Sequence, residues 1–358
     1  MNRYIIILAI LIVVFLGWVY YEKESSTNKS SIKVGLVSAL SGDFAFYGES
    51  TRAGILLAQK DLQDLGVKIE VIAEDGQFDA AKSLSAAQKL VNVDKVRAIY
   101  SDFNPEAITI SSFIKGKNIL HVYDAAPVSP LKDNPLVYKS YIDYVTGCRS
   151  VAEYLKNKGI ERVGVLSINL EAGDLCTEGV KNVFGDKAFV EKYNPDITDF
   201  RTQLLKLSQN RIEAVFNIAL PATTISSLKN MRTLRINVPF VVSSDSISPD
   251  IISQNSALLE GVVAFGLTPA SDDFVRKLKE ELPNESVGYY PAAALAYIHV
   301  KQMALALKSC NEDESCVQNK MDNAQPDNVI GFGGFKDHIA QFALPIQEFH
   351  DGRFVTVE

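Results

Sequence analysis

The residues able to do chemistry in this 358-residue chain stand singly, at the ends of strand-like runs, and none completes a catalytic set. There is no G-x-S-x-G elbow, no Walker A pattern and no G-x-G-x-x-G opening a helix. The glycine-rich stretch Gly331 to Gly334 leads into no amphipathic helix. His121 and His299 fall inside a strand-like and a helix-like run, where a packed imidazole is commoner than a base. His338 and His350 lie near turns without an evident partner. Catalysis is therefore not expected, and the sequence suggests neither a cofactor nor a metal site. What remains is a set of polar and aromatic residues in loops: Ser41 and Tyr47; Ser101, Asp102, Phe103 and Asn104; Asp124, Ala125 and Ala126; Tyr141; Glu171; Leu220; Asp245. Hydroxyls and free amides at a helix start suit a carboxylate. An acidic side chain suits an ammonium.

The elements that position these loops alternate. IKVGLVSAL (32–40) reads as a strand, and STRAGILLAQKDLQDL (50–65) as a helix with Ala53, Leu57, Leu62 and Leu65 at helical spacing. VKIEVIAE (67–74), the helix 79–91 capped by Asp79, VRAIY (96–100), a helix through Ile108 to Lys115, and ILHVY (119–123) continue the pattern. The order then recurs. RVGVLS (162–167) echoes KVGLVS (33–38), and AFVEKY (188–193), EAVFNIAL (213–220) and VPFVV (238–242) are separated by helical stretches. Two copies of one βα plan predict two α/β lobes with parallel sheets, each presenting its loops at the carboxyl ends of its strands. The cleft between them is the expected ligand site. PIQEF and RFVTV, joined by His350-Asp351-Gly352, read as a terminal hairpin.

Composition sets the outer bounds. Apolar residues make up 47% of the chain, enough for buried cores. The 36 basic and 43 acidic side chains give a net charge of −7, which excludes a clustered basic nucleic-acid surface. Tyr4 to Tyr21 is an uncharged run of 18 residues after Arg3. As a helix it would span about 27 Å, and the positive end would stay in the cytoplasm. Residues 1–31 therefore read as a membrane anchor or a cleaved signal, plus a Ser-rich tether. The remainder is then extracytoplasmic, either anchored to the cell membrane or released into the periplasm or medium. Export allows disulfides. Cys310 and Cys316 flank five polar residues and form one candidate pair, with Cys148 and Cys176 a second.

The order of IKVGLVSALSGDFAFYGESTRAGILLA, SPL (129–131), TDFRTQLLKL (198–207) and YYPAAALAYIHVKQMALAL resembles the type I periplasmic-binding-protein family, in particular its branched-chain amino-acid (Leu/Ile/Val-type) members that serve ABC importers. The resemblance covers Ile32 to Glu358. It implies two Rossmann-like lobes joined by three crossings: 32–142 with 270–336, and 143–269 with 337–358. It implies a monomer that binds a small polar ligand, foremost an amino acid, between lobes that close by hinge motion, and an ABC permease as partner. Asp245, then Glu171, would face the ligand's ammonium; the rival reading of each is a solvated loop acid. Tyr47 would stack on or bond the ligand, or shape the first helix. Tyr141 would touch ligand or pack the hinge. Two departures widen the choice to amides, urea-like compounds and aromatic acids. SDFNPEA stands where the family has a Gly-x-x-Ser-Ser carboxylate site, with Pro105 lacking an N–H, and no tyrosine precedes Gly173. A ligand-sensing ectodomain that signals through a membrane partner is the alternative function.

Overall fold

The computed structural model describes residues 31–357, save Ser248 and Glu312. The apolar run 4–21, and with it the expected anchor or signal helix, lies outside the described residues. Among those residues no helix is long and apolar enough to cross a membrane.

β1 (Ile32–Ser38), β2 (Ile69–Asp75), β3 (Ala98–Asp102), β4 (Leu120–Asp124) and β5 (Val137–Lys139) form the parallel part of a first sheet. β6 (Val163–Ile168), β7 (Ala188–Tyr193), β8 (Ala214–Ile218), β9 (Phe240–Ser243) and β10 (Val262–Phe265) form that of a second. β3, β4, β6, β8 and β9 are buried along their whole length. That is why they read as unbroken apolar runs: parallel strands are covered by helices on both faces.

The expected all-parallel sheets are in fact mixed. β11 (Phe332–Lys336), β12 (Ile339–Phe342), β13 (Ile346–His350) and β14 (Arg353–Thr356) are short edge strands. β12 is antiparallel to β11 and parallel to β5, and β13 is antiparallel to both β10 and β14. Hairpins need only tight turns, so they extend a sheet edge without a further crossover helix. The seven-stranded orders are β11-β12-β5-β4-β3-β1-β2 and β14-β13-β10-β9-β8-β6-β7, one plan written twice. Because β12 pairs in the first sheet, the third crossing falls between β12 and β13, not at residue 337 as the sequence division had it. The other crossings follow β5 and β10.

One apolar cluster runs from Val34, Leu36 and Tyr100 through Tyr141, Ile142 and Tyr144 to Val165 and Phe265, so the hinge is packed rather than bare. Two close approaches set where each lobe's first helix begins. A Cβ on Gly48 would lie 2.2 Å from the Ala39 carbonyl oxygen, and one on Gly173 would lie 2.2 Å from that of Ile168. Both positions require glycine because the helix start presses on the end of the preceding strand.

Both expected disulfides are formed, with Cα–Cα distances of 5.3 Å for Cys148–Cys176 and 5.5 Å for Cys310–Cys316. The first joins helix Tyr144–Asn157 to helix Glu171–Phe184, whose amino termini both reach the cleft. Its ends are 28 residues apart against 6 for the second, so loop entropy assigns it about 3.6 against about 2.2 kcal/mol. Cys148→Ala/Cys176→Ala should therefore lower the urea midpoint more than Cys310→Ala/Cys316→Ala does. Equal or reversed losses in urea melts contradict this.

Candidate functional site

In a doubly wound sheet the crevice opens where strand order reverses. Here that point lies between β1 and β3, and Ser38 and Asp102 end those two strands. Ser38 Oγ donates to Asp102 Oδ2 at 2.5 Å, and both residues are fully buried. One strand further, Asp124 ends β4 and is 3% exposed. Its Oδ2 accepts from Tyr47 Oη at 2.7 Å. The second lobe supplies Asp245, just past β9. Its Oδ2 accepts from Tyr144 Oη at 3.0 Å and from Tyr141 Oη in a short bond. The two tyrosines sit on the first crossing, so the hinge itself grips the second-lobe acid.

An aromatic wall stands beside these acids. Tyr47 stacks on Tyr289 at 5.3 Å between centroids and leans on Phe103 at 5.0 Å, while Phe103 meets Phe44 and Phe78. Phe103 has φ 59°, an outlier for a bulky side chain. Its amide donates to the Asp124 carbonyl at 3.1 Å, which ties this strained turn to the next strand.

Glu171 lies elsewhere in the cleft. From the second lobe it accepts the amides of Val128 and Ser129 at 2.8 and 3.2 Å and the Ser129 hydroxyl at 3.0 Å. It bridges the two lobes.

Burial dominates the electrostatics. It pushes Asp102 up to about 7, against the pull of the Ser38 and Thr51 hydroxyls. It also drives Asp124 well above the carboxylate range, helped by the charges of Asp102 and Asp245 and opposed by Tyr47 and Lys139. The Tyr47 phenol is raised by burial and then by Asp124 and Asp102. Lys139, fully buried at the end of β5, donates to the Ile142 carbonyl at 2.7 Å. Burial lowers it to about 8, although Asp143, Glu171 and Asp124 hold it up.

The expected site residues divide. Tyr47, Asp102, Phe103, Asp124, Tyr141 and Asp245 converge. Ser101 does not: its hydroxyl pairs with His121 Nε2 at 2.8 Å on the opposite face of the strand. Ser41 is exposed and pairs with Asp75 at 2.6 Å, which shapes the first loop. Asn104 Oδ1 accepts from the Ala126 amide at 3.4 Å, which engages that amide and leaves the Asn104 Nδ2 donor outside the bond. Ala125 is buried in the core. Leu220 caps helix Pro221–Thr233 and packs on the second-lobe core. Sequence reasoning missed Tyr144, Tyr289 and Lys139. The only signal for Tyr289 was its place before the Ala-rich helix. Among the described residues no group of three His, Cys, Asp or Glu has metal-binding geometry.

Two hinged α/β lobes with buried polar groups where their strand-end loops meet define a two-lobed ligand-binding protein. The chain belongs to the periplasmic binding protein family, whose profile matches residues 31–353; the family comprises solute-binding proteins, not enzymes. Leu/Ile/Val-binding protein homolog 6 of Brucella abortus (strain 2308) is 28% identical over 150 residues, 40% of this chain and 38% of that protein. The match thus spans less than half the length of this curated relative. Among solved structures, the leucine-binding protein LivK of Thermotoga maritima aligns with a TM-score of 0.78 at 16% identity, covering 91% of this chain and 98% of that one. LivJ of Streptococcus pneumoniae, solved with isoleucine, gives 0.76 at 16% identity over 91% and 98%. An R. palustris solute-binding protein solved with 4-hydroxybenzoate gives 0.78 at 16% identity over 92% and 96%. These likenesses establish the fold.

The raised acids have a sign that can be tested. Asp102 has a folded pKa of about 7, above the ordinary aspartate value of 3.8, so its contribution to stability is full at low pH and is lost as pH rises between those values. The melting temperature of ligand-free protein should carry a falling component between about pH 4 and 7. Asp102→Asn should remove much of it, each pKa unit being worth about 1.4 kcal/mol. Parallel melting curves for the two proteins across that window contradict the assignment.

Proposed function

We propose that this protein is the extracytoplasmic solute-binding component of an ABC importer. It captures a small polar solute where the lobes meet, closes on it and presents it to a membrane permease. The run 4–21 after Arg3 serves as its export and anchoring segment. Family membership supports the transport role. The observation that carries the site is the meeting of Asp102 and Asp124 from the first lobe with Asp245 from the second, enclosed by Tyr47, Tyr141, Tyr144 and Tyr289.

Closure has its own contact. Glu171 accepts three hydrogen bonds from the loop after β4 in the opposite lobe. Removing it costs the closed form those bonds and leaves the acid cluster untouched. The amino-acid expectation divides at this site. Carboxylates for an ammonium are present, whereas of the groups expected to hold a carboxylate the Ser101 hydroxyl and the Ala126 amide are engaged with other protein groups.

A thermal-shift panel on the purified full chain tests the reading, with leucine, isoleucine, 4-hydroxybenzoate, benzoate, acetamide, urea, spermidine and 1,4-diaminobutane. A bound solute at 100 times its Kd raises stability by about 2.7 kcal/mol. One chemical class should raise the midpoint, and Glu171→Ala should cut the shift without changing which class binds. A flat response to the whole panel contradicts solute capture.

A further inference from the structure

The cleft is unbalanced in charge and in hydrogen-bonding capacity. Asp124 and Asp245 each spend Oδ2 on tyrosine hydroxyls, and each keeps a buried Oδ1 that accepts from no protein group. One lies in each lobe, and their charges act on each other. Asp102 adds a third carboxylate that raises Asp124, and Glu106 stands in the first turn of the helix after Asp102. Lys139 is the cation whose field reaches Asp124, and its ammonium is held by the Ile142 carbonyl among Asp143, Glu171 and Asp124. A buried acceptor without a donor is costly, and two facing carboxylates repel.

Apart from the Asn104 Nδ2 donor, the groups expected to hold a ligand carboxylate are otherwise engaged. The Ser101 hydroxyl belongs to His121, the Ala126 amide to Asn104, and Pro105 has no N–H. Glu106 places a buried carboxyl at that same helix start, and neither of its oxygens accepts from a protein group. A solute carboxylate would bring further acceptors to a site whose unpartnered oxygens are already acceptors. The walls, in contrast, suit a cation: Tyr47, Tyr289 and Phe103 present stacked and tilted rings, and Tyr141 and Tyr144 flank Asp245.

Resting on the solute-binding reading above, we propose that the ligand is an organic cation with N–H donors on more than one charged nitrogen and no carboxylate, such as a di- or polyamine or a guanidinium-bearing amine. One charged nitrogen donates to Asp124 and Asp245 together, and the second answers the field of Asp102. Unpaired acceptor oxygens require N–H donors, so a quaternary ammonium, which has none, fits less well. The bridge also makes closure ligand-driven. Without a cation Asp124 keeps its proton and nothing links the two acids; with a cation between them, the ionised acids of the two lobes are drawn together.

Isothermal titration calorimetry on the purified full chain tests this with 1,4-diaminobutane, spermidine and agmatine against leucine, isoleucine, benzoate and tetramethylammonium. At least one N–H cation should bind a hundredfold or more tighter than leucine or benzoate. Asp124→Asn and Asp245→Asn should each weaken it by ten- to hundredfold. Both variants keep shape and relieve repulsion; their melting curves confirm folding. A second readout on the unaltered chain needs no variant. The facing titratable groups are Asp102, Glu106, Asp124, Asp245, Lys139, Tyr47, Tyr141, Tyr144 and Tyr289. The raised carboxyls among them must ionise to bind a cation, so affinity should rise from about pH 5.5 to 8 with proton release seen across buffers of different ionisation enthalpy. Tighter binding of leucine, isoleucine or benzoate than of every cation overturns the proposal while leaving solute capture intact. Binding by neither group overturns both. Cation binding that is indifferent to both asparagine variants and to pH overturns the placement at these acids.

Discussion

The constraint on which this structure turns is the cost of placing carboxylates of like charge together out of water. Asp102 and Asp124 come from adjacent strands of one lobe, and Asp245 is brought against them by the other. No fold tolerates that without compensation. Each acid therefore has hydroxyl donors on one side: Ser38 for Asp102, Tyr47 for Asp124, Tyr141 and Tyr144 for Asp245. The donors arrive from the first strand, the first helix and the hinge. The arrangement couples the relative position of the lobes to the charge state of one small volume, and such coupling is what a binding protein that closes on its solute needs.

The fold supplies the positions by repetition. The same strand order occurs in both sheets, and Gly48 and Gly173 bring each lobe's first helix onto the end of its first strand. The lobes then diverge in what they carry there. The first places Tyr47 before its glycine and aims it at Asp124. The second places Ala172 before Gly173, and the tyrosines that serve its acid come from the crossing instead. Glu171, one residue earlier, reaches the other lobe, and the Cys148–Cys176 bridge ties its helix to the one that begins at Tyr144. Closure and ligand grip are thus mounted on one covalently joined pair of helices.

Much of this was legible in the residues. The echo of KVGLVS in RVGVLS announced the doubled plan, and both cysteine pairs could be named. Tyr47, Asp124, Tyr141 and Asp245 could be picked out as strand-end or hinge residues. Ser101 could not be separated from Asp102, because neighbouring residues of a strand face opposite sides and the sequence does not say which side holds the crevice. Only the meeting with His121 decides it. Glu171 read as a possible ammonium partner because its real partners, Val128 and Ser129, are about forty residues away in the other lobe. Lys139 carries no local signal, and Tyr289 none beyond its place before the Ala-rich helix. Each acquires its role from contacts that exist only once the lobes are assembled. The terminal hairpin was visible as strands, but β11 and β12 were not, and the sheet that β12 joins depends on pairing across some two hundred residues.

The claim at the centre of this account is that the cleft acids share a dry, mutually repelling environment. Carboxyl-carbon NMR titration of aspartate-labelled full chain, with Asp102→Asn and Asp124→Asn for assignment, tests it most directly. The account predicts that Asp102 titrates near neutrality, that Asp124 titrates well above ordinary aspartates, and that removing either charge lowers the other's midpoint. Titration of both near the ordinary aspartate value of about 4, with neither responding to the other's removal, would contradict it.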